Sequence, residues 1–164
     1  MQIRKAELKD LDGLMPQFNA YREFYEREPD ESGAKSFITE NIRSQRSTIF
    51  VAIDDNGTIV GFVQLYTRLS SLAMTEYVYL GDLYVDQAHR KSGVGRQLMK
   101  AAEDWSNSIG AFQIQLLTAH TNSTAQALYE SLGYKWDQVY RSYALPLPGL
   151  VKSAKVLNPG PIAS

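Results

Sequence analysis

Cysteine is absent from this chain of 164 residues, which excludes disulfides, thiolate metal sites and a cysteinyl acyl-enzyme. Histidine occurs only at His89 and His120, without nearby carboxylate spacing, so neither a metal centre nor a hydrolase triad is supported. A G-x-S-x-G elbow is also missing. Both histidines read as structural. No apolar run approaches the roughly 18 residues of a membrane span. The start, Met1-Gln2-Ile3-Arg4-Lys5-Ala6-Glu7, carries charges where a signal peptide is apolar, and the expected compartment is the cytoplasm. Lys plus Arg (17) and Asp plus Glu (18) nearly cancel to a formal charge of −1, which removes the electrostatic footprint of a general nucleic-acid binder. Any basic patch must therefore be local.

What the chain does have is 44% apolar residues, enough to bury the core of one domain, placed at residues 1–147. The stretch 148–164 holds Pro148, Gly149, Pro159, Gly160 and Pro161 without a period, and is expected to be a mobile tail. A short strand is expected over Gln2 to Leu8. Leu11, Leu14, Met15, Phe18, Tyr21 and Tyr25 then recur at helical steps. Pro29 to Gly33 breaks that helix, and Phe37, Ile38 and Ile42 define a second. Thr48 to Ile53 and Thr58 to Tyr66 flank Asn56-Gly57, a strong hairpin signal, and Arg68 to Ser71 reads as a polar connection. Thr75 to Val85 is a long aromatic strand. A helix over Arg96 to Ile109 ends at Gly110, and Phe112, Ile114 and Leu116 alternate as a strand. Ser123 with Gln126 suggests a capping box for a helix running to Leu132, and Tyr134 to Leu145 is expected to supply the last strand or strands. The β-α-α-β-β-β-α-β-α-β order implies a mixed α/β fold, with a largely antiparallel central sheet flanked by helices.

The most informative stretch is Arg90-Lys91-Ser92-Gly93-Val94-Gly95, a glycine-rich corner between strand and helix. Without Cβ atoms, Gly93 and Gly95 let successive N–H groups converge on phosphate oxygens, and the following helix N-terminus favours an anion. Arg90, Lys91 and Arg96 would add mobile positive charge. The spacing matches neither a P-loop nor a dinucleotide fingerprint.

Across Leu80 to Tyr134 the chain resembles the Gcn5-related N-acetyltransferases, the GNAT family. Leu83-Tyr84-Val85 is similar to the family's central strand, Arg90-x-x-Gly93-x-Gly95 to its pyrophosphate loop, and Asn122 through Ala127-Leu128-Tyr129-Glu130-Ser131-Leu132-Gly133-Tyr134 to its second cofactor helix. Tyr79-Leu80-x-Asp82-Leu83-Tyr84-Val85-Asp86 resembles the subgroup of yeast histone and polyamine acetyltransferases. The resemblance implies acetyl-CoA as co-substrate, no metal, and a cofactor site built from Leu83, Tyr84, Val85, Arg90, Lys91, Ser92, Gly93, Val94, Gly95, Arg96, Asn122, Ala125 and Tyr129. It gives Asn122 a contact with the pantetheine arm and Tyr129 the proton for the departing thiolate, and it makes the main chain of Leu83 to Val85 the partner of pantetheine and of the acetyl carbonyl. The plain alternative is that Asn122 caps the helix and Tyr129 packs.

The resemblance fails at one position. Many relatives read Glu-Asp-Leu-Tyr-Val where this chain has Gly81-Asp82-Leu83-Tyr84-Val85, so the usual base is missing. Glu76 and Asp82, spaced for one strand face, are the available carboxylates; a water chain is the third option. The acceptor region is expected around Tyr25, Glu26 and Glu28, where an aromatic face beside carboxylates suits a cationic amine. Together these readings imply direct acetyl transfer to a primary amine of a polyamine-like molecule or a protein, in a ternary complex, by a chain that could form a homodimer. A non-catalytic acyl-CoA-binding protein of the same fold is the alternative.

Overall fold

The computed structural model describes residues 1–145 and 147. Its order is β1 (Gln2–Lys5), α1 (Leu11–Phe24), α2 (Glu31–Arg43), β2 (Thr48–Ile53), β3 (Ile59–Ser70), β4 (Thr75–Val85), α3 (Val94–Ser108), β5 (Ile114–Leu116) and α4 (Ser123–Ser131), with short 3₁₀ turns before α1 and after β4. The sheet runs β1-β2-β3-β4-β5, antiparallel throughout except for the parallel β4–β5 pair. The Asn56-Gly57 hairpin forms as expected. Asp54 accepts from the Asn56 and Thr58 N–H groups at 2.9 and 2.8 Å, and Gly57 takes φ +83°.

Two cores lie on opposite faces of the sheet. One packs Val63, Leu65, Val78, Leu80, Leu83 and Val85 against Val94, Leu98, Met99 and Ala102 of α3, and against Ala125 and Tyr129 of α4. The other packs Ile49, Val51, Phe62 and Tyr84 against Leu14, Phe18 and Tyr21 of α1 and Ile38 of α2. Alternation along each strand sends its side chains to the two faces in turn.

The structure departs from the sequence reading at four places. Arg68 to Ser70 is not a connection but the end of β3, paired with Thr75 to Tyr77, and the turn is confined to Ser71–Met74. Cross-strand pairing supplies there what local polarity hides. Helix α3 starts two residues early, at Val94, with Gly93 as its N-cap. The cap of α4 is Asn122, whose Oδ1 accepts from the Ala125 N–H at 3.2 Å; the Gln126 amide, which the capping box needed, donates instead to the carbonyls of Ala119 and His120. No strand forms over 134–145 among the described residues, and Trp136, Val139, Tyr140 and Tyr143 there are each at least 74% exposed. Strand composition alone does not make a strand. The tail expected over 148–164 lies outside the described residues.

Candidate active site

The site is organised by a break in β4. Gln64 of β3 pairs with Asp82 and Leu65 with Leu80, so Gly81 is an extra residue, a β-bulge. The bulge reverses the alternation. Val78 and Leu80 before it, and Leu83 and Val85 after it, all join the α3-side core, as expected for Leu83 and Val85. Tyr79 before it and Asp82 and Tyr84 after it share the other face, across from Tyr66, Gln64 and Phe62. Glu76, two residues before Val78, therefore lies on the opposite face from Asp82. The expectation that these carboxylates share a face is overturned by one inserted residue.

Gly81 explains its own identity. A Cβ built there would stand 2.7 Å from the Tyr66 ring, so a side chain at that position would require the ring to shift. Asp82 is the carboxylate that remains at the bulge. The Tyr21 hydroxyl hydrogen-bonds to Asp82, and Asp82 raises the pKa values of Tyr25, Tyr66 and Tyr79 as well. Burial pushes the Asp82 carboxyl up to about 6, against the Tyr21 hydrogen bond that lowers it, while part of its surface stays open. Tyr66 and Tyr79 were not expected at the site, because only the pairing register of β3 and β4 places both on the α1 side.

The β4–β5 ladder ends at Leu80 and Leu116, and β4 continues alone on that side to Val85. The Asp86 N–H bonds the Val60 carbonyl of β3, so by antiparallel alternation the main-chain groups of Tyr84 and Asp82 also face β3, while those of Leu83 and Val85 face the gap. The Val85 carbonyl there accepts the Arg90 Nε at 3.0 Å. The main-chain groups of Leu83 and the Val85 N–H therefore face the gap, whereas those of Tyr84 face β3. Tyr129 of α4 is buried in the core on the α3 side of the sheet, on the helix face shared by Ala125 and Asn122. Its hydroxyl is buried without a partner among the described residues, as is that of Tyr25. Burial raises the Tyr129 pKa first, then the Tyr25 hydroxyl within electrostatic reach. Tyr25 thus feels Asp82, and Tyr129 in turn feels Tyr25.

At the far end of the gap the glycine corner closes on α3. The first helical bond runs from the Gln97 N–H to the Gly93 carbonyl, and no side chain caps the helix, so the N–H groups of Gly93, Val94, Gly95 and Arg96 precede the ladder. Gly93 takes φ +88° and Lys91 φ 61°, the left-handed turns that point successive N–H groups one way. Gly95 lets α3 approach Leu128 of α4, 3.3 Å from where its Cβ would be. The side chains are less mobile than expected. Arg90 also reaches over the rings of Phe24 and Tyr84, Ser92 bonds the His89 carbonyl at 2.6 Å, and Arg96 bonds Ser131 at 2.7 Å. Lys91 is exposed. His89 contacts Asp86 at 3.3 Å and His120 is exposed, in keeping with structural roles. Glu26 and Glu28, like Glu76, are not brought to Asp82; both are exposed beyond the end of α1, Glu26 at φ 56°.

A sheet opened beside a bulge, with an uncapped helix N-terminus at one end and a buried tyrosine hydroxyl without a partner among the described residues, is the arrangement that the resemblance to acyl-CoA-dependent acetyltransferases implied. The acetyltransferase (GNAT) family matches residues 14–134, and this chain belongs to that family. It is 38% identical over 148 residues to "Uncharacterized N-acetyltransferase YhfO" of Bacillus subtilis (strain 168), covering 90% of this chain and 99% of that protein. It is 35% identical over 85 residues to "D-amino-acid N-acetyltransferase HPA3" of Saccharomyces cerevisiae, covering 52% and 53% of the two chains. A solved structure, "Crystal structure of a probable acetyltransferase", superposes with a TM-score of 0.86 at 33% identity, covering 92% of this chain and all of that one. The chain is therefore an acetyl-CoA-dependent acetyltransferase, as the sequence motifs implied. No helix among the described residues is long and apolar enough to cross a membrane.

The residues fit acetyl-CoA at both ends: free N–H groups for the pyrophosphate at α3, and a buried unpartnered Tyr129 hydroxyl at the gap. Gly93→Val puts a β-branched residue at φ +88° and a side chain on the anion path. It is expected to abolish the rise in melting temperature that acetyl-CoA gives the native chain, measured by thermal shift, because only ligand bound to the folded state stabilises it.

Proposed function

We propose that this chain transfers the acetyl group of acetyl-CoA directly to a small primary amine, with Asp82 as general base and Tyr129 as hydrogen-bond donor to the leaving sulfur. Acetyl-CoA supplies the activated thioester. The observation that supports the reading is the Asp82 carboxylate at the bulge, hydrogen-bonded by the Tyr21 hydroxyl, beside the stretch of β4 that β5 leaves unpaired up to Val85. The N–H groups at the start of α3 hold the pyrophosphate, with Lys91 adding charge, while Arg90, Ser92 and Arg96 shape the corner. Asn122 and Ala125 form the α4 wall along the pantetheine arm. The Leu83 N–H polarises the acetyl carbonyl.

Asp82 takes the amine's proton. An ordinary ammonium near pKa 10.4 would give it up to a carboxyl near 6 at a cost of about 6 kcal/mol. Burial among Tyr21, Tyr25, Tyr66 and Tyr79 lowers the amine's pKa by desolvation and narrows that gap. Tyr129 remains protonated at every physiological pH, because burial raises it further. Full proton transfer from so weak an acid is costly, so its contribution is a hydrogen bond that strengthens as negative charge collects on sulfur.

The test is CoA release over a panel of amines, amino acids and peptides. Turnover of small amines is expected. Turnover of peptides alone would assign the chain to protein acetylation, and acetyl-CoA binding without turnover on any acceptor would make it a non-catalytic binder. Glu26 and Glu28, being exposed, are expected to tune the Michaelis constant of cationic acceptors only at low salt, since exposed charges are screened beyond about 8 Å at physiological ionic strength.

A further inference from the structure

The tyrosine-lined face that holds Asp82 carries a second charged group. Arg68 of β3 pairs with Tyr77, and its guanidinium lies 3.9 Å from the centroid of the Tyr79 ring. Cross-strand partners share a face, so Arg68, Tyr66, Tyr79 and Asp82 all project toward the α1 side. Tyr66 and Tyr79 stand between the two charges, and both rings feel the arginine and the aspartate with opposite effects. Arg68 is exposed and has no carboxylate partner among the described residues. Stacking on Tyr79 holds the guanidinium plane while leaving its edge N–H groups free, which suits a planar carboxylate.

We infer that the acceptor is dipolar: its amine meets Asp82 and an anionic group, a carboxylate in the first instance, meets Arg68 across the Tyr66–Tyr79 wall. This inference rests on the proposed amine site and deepens it. Tyr79, under the guanidinium, lies three residues from Asp82 with the bulge between them, so the two charges of the acceptor are separated by roughly 7–10 Å. That span suits an ω-amino acid or a dipeptide-sized zwitterion.

The experiment measures kcat/KM for 4-aminobutyrate and 6-aminohexanoate beside n-butylamine and n-hexylamine, in the native chain and in Arg68→Ala and Arg68→Lys. The native chain is expected to prefer the carboxylate-bearing member of a pair by roughly 10-fold or more, chiefly through KM, as a charge-assisted contact present in ground and transition states would give. The ratio should collapse toward one in Arg68→Ala and be partly restored in Arg68→Lys. Equal kcat/KM within each pair in the native chain, preference for the plain amines or for polyamines, or an Arg68→Ala loss that is uniform across both members, would overturn the dipolar acceptor and leave the amine site standing. No CoA release with any amine or peptide would instead overturn the proposed function itself.

Discussion

Asp82→Asn is expected to lower turnover by roughly 100- to 10,000-fold while making the protein more stable at neutral pH, a pairing that separates a base from a structural carboxylate. The loss follows from removing the group that receives the proton. The gain follows from linkage. The folded-state pKa of Asp82, about 6, lies above its ordinary 3.8, because burial penalises the ionised form. The native state therefore holds a proton that the unfolded state has released, and the stability that proton carries is fully present below about pH 4 and lost as the pH rises through 6. Asparagine has no such cost and still accepts the Tyr21 hydroxyl. At pH 7 the variant should unfold later, by about 1–3 kcal/mol, in denaturant titrations or scanning calorimetry. In the native enzyme kcat/KM should rise through a limb near pH 6 as Asp82 ionises, beside the tyrosines of α1, β3 and β4 and the Arg68 charge. The variant's residual activity should lack that limb. A native profile flat between pH 5 and 7, or a variant with full turnover, would remove Asp82 from the chemistry and return the role to a water chain.

The second large effect is expected at Tyr129. Tyr129→Phe deletes a hydroxyl that has no partner among the described residues, so folding loses no hydrogen bond seen there and the melting temperature should hold or rise slightly. Turnover should fall by roughly 10- to 1,000-fold, with little change in acetyl-CoA affinity, if the hydroxyl supports the departing sulfur. The loss should shrink with thioesters whose thiol is more acidic, because a better leaving group needs less help. A drop in affinity with unchanged turnover would make Tyr129 a wall of the pantetheine channel instead.

The sequence by itself determined the corner and the frame. Gly93 and Gly95 ahead of an amphipathic helix, the Asn56-Gly57 turn and the alternating strands are local signals, since backbone freedom and side-chain period act within a few residues. Asn122 and Tyr129 were legible too, seven residues apart and so on one helical face. The surroundings of Asp82 were not, because they depend on register. A single unpaired residue, Gly81, reverses the alternation of β4, parts Glu76 from Asp82, and sets Asp82 beside Tyr21 of a helix more than 50 positions earlier in the chain. The Tyr66 ring packed close over Gly81, and Arg68 resting on Tyr79, are likewise contacts between two strands whose pairing no local pattern specifies. Local propensity thus wrote the glycine corner at the start of α3, while only the tertiary pairing decided which carboxylate stands at the bulge beside the tyrosines.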